Sequence, residues 1–108
     1  MTNSLQNKTL LFEAIDNYAL FPKTGRLLLK VLINLAVDNT VITNITELSK
    51  LSKISRPSVY ANLKRLEANG VIECQKNEGS RISSFLLKPK KFNDILIHHQ
   101  VRKDILQS

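Results

Sequence analysis

Two short helical patterns, separated by the three-residue break KIS, lie within residues 46–70 and constrain the fold more than any other feature of the sequence. The first, TELSKLSK, opens at Thr46 and places Leu48 and Leu51 in a compact helix. After the break, Ser55 begins the second pattern as a good N-cap residue. The sequence therefore predicts two compact helices joined by a tight turn.

The second helix has a defined start, a core-facing side and a defined end. Pro57 is tolerated in its first turn, and Gly70 marks its stop. Its apolar residues recur at helical spacing, at Val59, Leu63 and Leu66. Its other faces carry polar and basic side chains, at Arg56, Tyr60, Lys64 and Arg65. This helix is expected to pack by one side and to present the other to solvent.

After Gly70 the pattern changes from helical to β-type. The runs VIECQK and RISSFLL surround the loop NEGS, in which Gly79 can take a positive φ. This order predicts a β-hairpin. Pro89 ends the hairpin and starts a last helix, which extends over about residues 90–106.

The N-terminal part predicts two further helices and a weak strand. Thr9 is a cap candidate for a helix over about residues 9–20, which Pro22 stops. Thr24 is expected to cap the second, a buried central helix with one narrow polar stripe and a left-handed exit at Asn39. The β-branched run TVITNI is the strand candidate.

Basic residues are concentrated in one part of the chain. The 108 residues include 16 Lys and Arg against 9 Asp and Glu, a net charge of +7. Of this excess, +6 lies between residues 41 and 91, where 10 basic residues stand against 4 acidic ones. A solvent-exposed surface that binds no partner gives no physical reason for the excess of basic residues to be concentrated in one part of the chain. The distribution therefore favours a polyanionic partner.

Two helices, a tight turn and a basic hairpin follow one another in the order of a winged helix-turn-helix. The stretch LSKLSKISRPSVYANLKRLEANGVI resembles the core motif of winged-helix DNA-binding proteins such as the MarR-like regulators, over about residues 27–88. The matching positions are Leu48, Ser49, Ile54, Ser55, Val59, Leu63, Leu66, Glu67, Gly70, Val71 and Ile72. Lys53 departs from the family pattern, because many members have glycine there for a left-handed turn.

This resemblance implies a mainly α fold with a small β-hairpin wing, extended by N- and C-terminal helices. A weaker resemblance lies in SFLLKPKKF, which is similar to the end of the same unit in some plasmid replication and partition proteins.

In winged-helix proteins the second motif helix enters the major groove, where its N-terminal residues meet base edges and Lys and Arg neutralise phosphates. The resemblance therefore implies DNA contacts by Ser55, Arg56, Pro57, Ser58, Tyr60 and Lys64. Arg56 is expected to read guanine, and Tyr60 with Lys64 to hold the backbone. The alternative is that Ser55 only caps the helix and that Pro57 only presets its first turn.

The predicted hairpin tip is polar and basic. It carries Lys76, Asn77, Ser80 and Arg81. A hairpin can reach phosphates or the minor groove of DNA. Because the narrow minor groove of A·T tracts favours an inserted arginine, Arg81 is the best candidate for a wing residue that contacts DNA. The alternative is that these side chains only keep a loop soluble.

The last helix is predicted to have two apolar faces. One combines Phe92, Ile95, Leu96 and Leu106, and the nearly opposite one combines Ile97, Val101 and Ile105. A single core covers only one face, so the sequence predicts a homodimer built from the first and last helices. The expected interface residues are Leu11, Phe12, Ile15, Ile97, Val101 and Ile105.

Residues that build catalytic and metal sites are scarce. The chain has one Cys and two His, and His98 and His99 point to different sides of a helix. We therefore expect no catalytic site, metal or cofactor, and no small-molecule effector is evident. Cys74 alternates with Ile72, which favours a half-buried strand position, and it has no intrachain disulfide partner. With no signal-like or membrane-spanning stretch, a cytoplasmic protein is expected.

The sequence predicts a sequence-specific double-stranded DNA-binding protein, foremost a dimeric transcriptional regulator such as a repressor. A plasmid or phage replication or partition factor is the alternative within DNA binding. A winged-helix protein-interaction module is the alternative of another class, although such modules need not be basic on the second helix and the wing.

Overall fold

Five helices and a three-stranded antiparallel sheet form a winged-helix fold in the computed structural model, which describes residues 8–18, 21–76 and 83–107. In chain order the elements are α1 (Lys8–Asp16), α2 (Lys23–Leu35), β1 (Thr40–Thr43), α3 (Ile45–Ser52), α4 (Arg56–Ala68), β2 (Ile72–Lys76), β3 (Ser83–Leu87) and α5 (Pro89–Gln107). The predicted order of helices and hairpin is confirmed.

The sheet has one strand more than the predicted wing. Its order is β1-β3-β2, so the weak strand candidate TVIT pairs with the far side of the hairpin. Phe85 in the central strand lies opposite Val41 on one side and Cys74 on the other. Val41 and Phe85 are buried, and Cys74 is half-buried as predicted. The additional strand, β1, anchors the wing to the helical core.

Four residues connect α2 to β1, and the last two of them form a tight turn. Asp38 and Asn39 both have positive φ, of 51° and 65°, and Val37 and Thr40 exchange two backbone hydrogen bonds across them. This geometry matches the right-handed twist of paired strands. The left-handed conformation predicted for Asn39 is confirmed, but it belongs to this turn and not to the exit of α2, because that helix already ends at Leu35.

Helix starts differ from the sequence prediction at three threonines. The expected caps Thr9, Thr24 and Thr46 all lie inside helices. Asn44 caps α3 instead, and its Oδ1 accepts a hydrogen bond from the Glu47 N–H at 2.8 Å. α1 already ends at Asp16, before the described chain reaches Pro22. At α3 the shift arises because Asn44 and Thr46 compete for the same cap position, whereas α2 begins after Pro22, which provides no side-chain cap.

The buried side of the central helix is confirmed, although Leu27 outside the polar stripe is 38% exposed, and α3 departs further from its prediction. Leu28, Leu29, Leu32 and Ile33 of α2 are buried. In α3, Leu48 is buried whereas Leu51 is 44% exposed, so its predicted core position is wrong. The buried position near the end of this short helix is taken by Ser52, whose hydroxyl donates to the Leu48 carbonyl and needs no partner from another element.

The terminal helices contribute to the same core as the winged helix. Leu11 and Ile15, expected at a dimer interface, are fully buried within the chain itself, so a second chain cannot reach them. Phe92 and Ile95 of α5 are buried in the same cluster. The ion pair between Lys103 Nζ and a Glu13 carboxylate oxygen, at 3.4 Å, also joins α5 to α1. Residues outside 27–88 are therefore part of the core.

Candidate nucleic-acid interface

The turn between α3 and α4 keeps the left-handed geometry that the sequence put in question. Lys53 has φ 60° and ψ 33°, and its N–H donates to the Ser49 carbonyl at 2.9 Å. The Ser49 hydroxyl donates to the Ile54 carbonyl, so the small residue at this position ties the turn to α3. These bonds fix the angle at which α4 leaves the turn.

Helix α4 presents one face to the core and the other to solvent. Val59, Asn62, Leu63 and Leu66 are buried. At 100° per residue their directions cluster on one side, and the opposite side is centred on Pro57, Ala61 and Lys64. The predicted DNA-contacting residues Arg56, Pro57, Tyr60 and Lys64 are exposed, and Ser58 is half-buried. The exposed residues Arg56, Pro57, Tyr60 and Lys64 form one surface, which we call the α4 face, and Ser58 lies on the opposite flank of the helix from Arg56.

The start of α4 has the predicted capped geometry. Ser55 has an extended backbone, and its Oγ accepts a hydrogen bond from the Ser58 N–H at 3.3 Å. Its cap role is confirmed, whereas a DNA contact by its hydroxyl stays a prediction. Arg56 occupies the first helical position and is exposed at this end. This is the end of a recognition helix that meets base edges in other helix-turn-helix proteins.

Basic side chains around α4 have no acidic partner within the described part of the chain. Lys50, Lys53, Arg56, Lys64 and Arg65 are all exposed. Within residues 8–18, 21–76 and 83–107, the ion pairs join Lys30 to Asp16, Lys88 to Glu73 and Lys103 to Glu13. None of them involves α3 or α4. The positive charge of the basic side chains on α3, the turn and α4 is therefore available to an anionic partner.

Two residues that sequence reasoning left out of the site also belong to α4. Asn62 lies on the buried side and Arg65 on the exposed side, where the Arg65 guanidinium donates to Asn62 Oδ1 at 2.9 Å. Asn62 also reaches Thr24 of α2, 38 residues away. No local pattern marks such a distant partner, but a polar residue within an apolar helical face is the signal that could have drawn attention to Asn62.

Most of the predicted wing contact lies outside the described residues. Asn77, Ser80 and Arg81 are outside the residues that the structure describes. For Lys76 only the backbone at the end of β2 is described. The strands Ile72–Lys76 and Ser83–Leu87 are paired antiparallel, and the pair Lys76–Ser83 is the last one described. DNA contact by these four residues therefore stays a prediction.

The two histidines and the cysteine form no common site. His99 is buried with Nε2 3.5 Å from a Glu13 carboxylate oxygen, while exposed His98 faces the Tyr18 ring at 5.9 Å. They point to different sides of α5, as predicted. In the described part of the chain no three His, Cys, Asp or Glu residues gather in a metal-like group. Nor does any helix there have the length and apolarity needed to cross a bilayer.

The sequence around this interface matches a known family. Residues 26–73 match the family model described as winged helix-turn-helix DNA-binding, and this range contains α3, the turn and α4. No curated protein sequence matches the chain significantly.

Several solved structures share the fold. An ArsR family transcriptional regulator is 19% identical, with a TM-score of 0.58 over 93% of this chain and 96% of that one. A protein from the thermoacidophilic archaeon Sulfolobus tokodaii is 17% identical, with a TM-score of 0.55 over 96% and 98%. NadR in complex with 4-hydroxyphenylacetate is 18% identical, with a TM-score of 0.53 over 95% and 76%. At these identities the likeness establishes the fold alone.

Proposed function

We infer that this winged helix-turn-helix protein, whose residues 26–73 match the DNA-binding family of that fold, binds double-stranded DNA by sequence as a homodimer and regulates transcription in the cytoplasm. The observation that carries the proposal is the α4 face. It presents Arg56 at the helix start, Tyr60 and Lys64 further along, and no ion pair to a carboxylate among the described residues. A helix of this kind fits the B-DNA major groove.

The proposed dimer is supported by a row of exposed apolar side chains on α5. Ile97 is 62% exposed, Val101 51% and Ile105 67%, and they lie four residues apart on the side opposite buried Phe92 and Ile95. Phe12 of α1, also expected at the interface, is half-buried, with Lys30 Nζ 5.7 Å from its ring centre. We place the dimer contact on the α5 row, which would set two α4 helices about 34 Å apart for successive major grooves.

Selection of bound duplexes from a random DNA pool tests this function. The expected result is an enriched site with two half-sites about one helical turn apart. An array of adjacent sites covered by many copies would favour a replication or partition factor instead. Recovery of no enriched sequence, together with no salt-dependent binding, would contradict DNA binding and favour a protein-interaction module.

Replacing Arg56 by alanine is expected to relax base preference at one position in each half-site. We expect a loss of roughly 1–3 kcal/mol on the preferred site and little change on unrelated duplexes, because a bidentate guanidinium contact discriminates one base. Binding titrations against single-base variants of the selected site measure this. Arg102→Ala, an exposed arginine on α5, is the matched control. An equal loss on every sequence would identify Arg56 as a phosphate contact.

Replacing Lys76 or Arg81 by alanine is expected to weaken binding to most sequences alike. Each change should reduce the slope of log K against log salt by about one unit, because each side chain is proposed to neutralise one phosphate. Titrations at four or more salt concentrations measure the slope, with Lys8→Ala on α1 as the control. Unchanged slopes for both wing variants would mean that the wing does not touch DNA.

A further inference from the structure

A buried amide links the start of α2 to the exposed side of α4. Asn62 is only 3% exposed, and its Nδ2 donates both to Thr24 Oγ1 at 3.0 Å and to the Ser58 carbonyl at 2.8 Å. Its Oδ1 accepts from Arg65 Nη1 at 2.9 Å. The amide therefore has both of its ends satisfied, and its orientation is fixed by two bonds that do not depend on Arg65.

Gly25 makes room for this arrangement. A Cβ added at this position would lie 3.1 Å from Asn62 Oδ1, closer than ordinary van der Waals contact. The absence of a side chain thus lets the first turn of α2 approach the oxygen that holds Arg65. The contact is specific to the packing of α2 against α4 and does not follow from the helical pattern of either element.

Arg65 is held by this amide but not neutralised. Its side chain is exposed, and no carboxylate among the described residues pairs with it. A guanidinium has five N–H donors, and the bond to Asn62 uses one of them. The remaining donors can take a charged oxygen ligand, such as a phosphate, in fork geometry.

The position of Arg65 along α4 favours a phosphate over a base. It lies nine residues after Arg56, which corresponds to roughly 13 Å along a helix axis and about half a turn around it, so the two side chains leave α4 on opposite flanks. The major groove is about 12 Å wide, and residues at the N-terminal end of a recognition helix are the ones that meet base edges. With Arg56 at the bases, Arg65 is placed near the sugar-phosphate backbone.

We propose that Arg65 contacts a DNA phosphate and that Asn62, anchored by Thr24, is the positioning residue that orients its guanidinium. The inference rests on the proposed DNA binding and adds a contact to it. Holding the side chain before binding reduces the conformational entropy that is lost when the complex forms, so affinity depends on Asn62 although Asn62 does not touch DNA.

The first test removes the charge. For Arg65→Gln we expect a salt slope lower by about one unit and roughly tenfold weaker binding to both the selected site and an unrelated 30-bp duplex, because a charge-assisted contact to every sequence is lost. Arg102→Gln is the matched control and should leave both quantities unchanged. A wild-type slope and affinity for Arg65→Gln would overturn the phosphate contact.

The second test is a double-mutant cycle on the positioning role. Asn62→Ala should weaken binding several-fold when Arg65 is present and have no further effect in the R65Q background. Thr24→Val, which keeps the Asn62 amide but removes one of its anchors, should act in the same direction with a smaller loss. If Asn62→Ala fails to fold, the Thr24→Val cycle decides the question. Thermal unfolding of each variant, followed by circular dichroism, shows that titrations are made on folded protein.

A purely structural role for Asn62 predicts a different result. In that case both variants would lower affinity by the same factor with and without Arg65, and the positioning role would be overturned. Failure of the underlying function is distinguishable, since a wild-type protein without salt-dependent DNA binding would contradict the proposed function itself. A wild-type protein that binds, combined with a silent Arg65→Gln, contradicts only this inference.

Discussion

Replacing Val101 by glutamate is expected to give a folded monomer that binds its DNA site on the order of a hundredfold or more weakly than the unmodified protein. Val101 is the middle of the exposed apolar row on α5, and a carboxylate there would be buried without a partner in the proposed dimer. Two linked recognition helices gain affinity from effective concentration, which a monomer loses. Sedimentation velocity and duplex titration measure the two effects.

Val37→Glu provides the control for this prediction. Val37 is 72% exposed and lies outside α5, so the identical change adds the same side chain and the same charge away from the apolar row. It should remain a dimer with nearly unchanged affinity. The placement of the dimer contact would be refuted if the unmodified protein sedimented as a monomer at micromolar concentration both with and without DNA.

Replacing Phe92 by alanine is expected to lower the free energy of unfolding by roughly 3–5 kcal/mol. Phe92 is fully buried in the core cluster that also contains Leu11 and Ile15 of α1, the helix against which α5 packs, so truncation leaves a cavity in the core. A loss of this size is a large part of the stability of a typical domain. Urea denaturation at a fixed protein concentration measures it.

Asn93→Ala is the matched control for Phe92→Ala, since it truncates the neighbouring, exposed side chain. It should change the free energy of unfolding by no more than about 0.5 kcal/mol. A loss below about 1 kcal/mol for Phe92→Ala would show that α5 contributes little to the core. Residues 27–88 would then be close to a self-sufficient folding unit.

Features that depend on neighbouring residues could be read from the sequence. Ser55 caps α4 through a bond to Ser58, three residues away, and Gly70 with φ 75° lies just beyond the end of that helix. The hairpin of β2 and β3 follows from its β-type runs and the loop between them. In each case the bonds that decide the structure form within a few residues, so the local pattern is sufficient.

Choices between competing local signals were less predictable. Thr46 and Asn44 are both acceptable N-caps, and α3 uses Asn44. Leu51 and Ser52 both lie near the end of the same helix, and the structure exposes the leucine and buries the serine. Helical spacing gives the relative directions of side chains but not which direction faces the core, because that depends on the elements that pack there.

By itself, the sequence determined the two motif helices, their turn, the hairpin and the basic character of the surface, since caps, stops, periodicity and charge are properties of short segments. Only the tertiary structure decided that Leu11 and Ile15 are buried in the chain's own core while Ile97, Val101 and Ile105 remain exposed. It also joined Thr24 to Asn62 across 38 residues and thereby placed Arg65. Apolar periodicity marks a face that can be buried, but the covering partner is chosen by long-range packing, which no local pattern encodes.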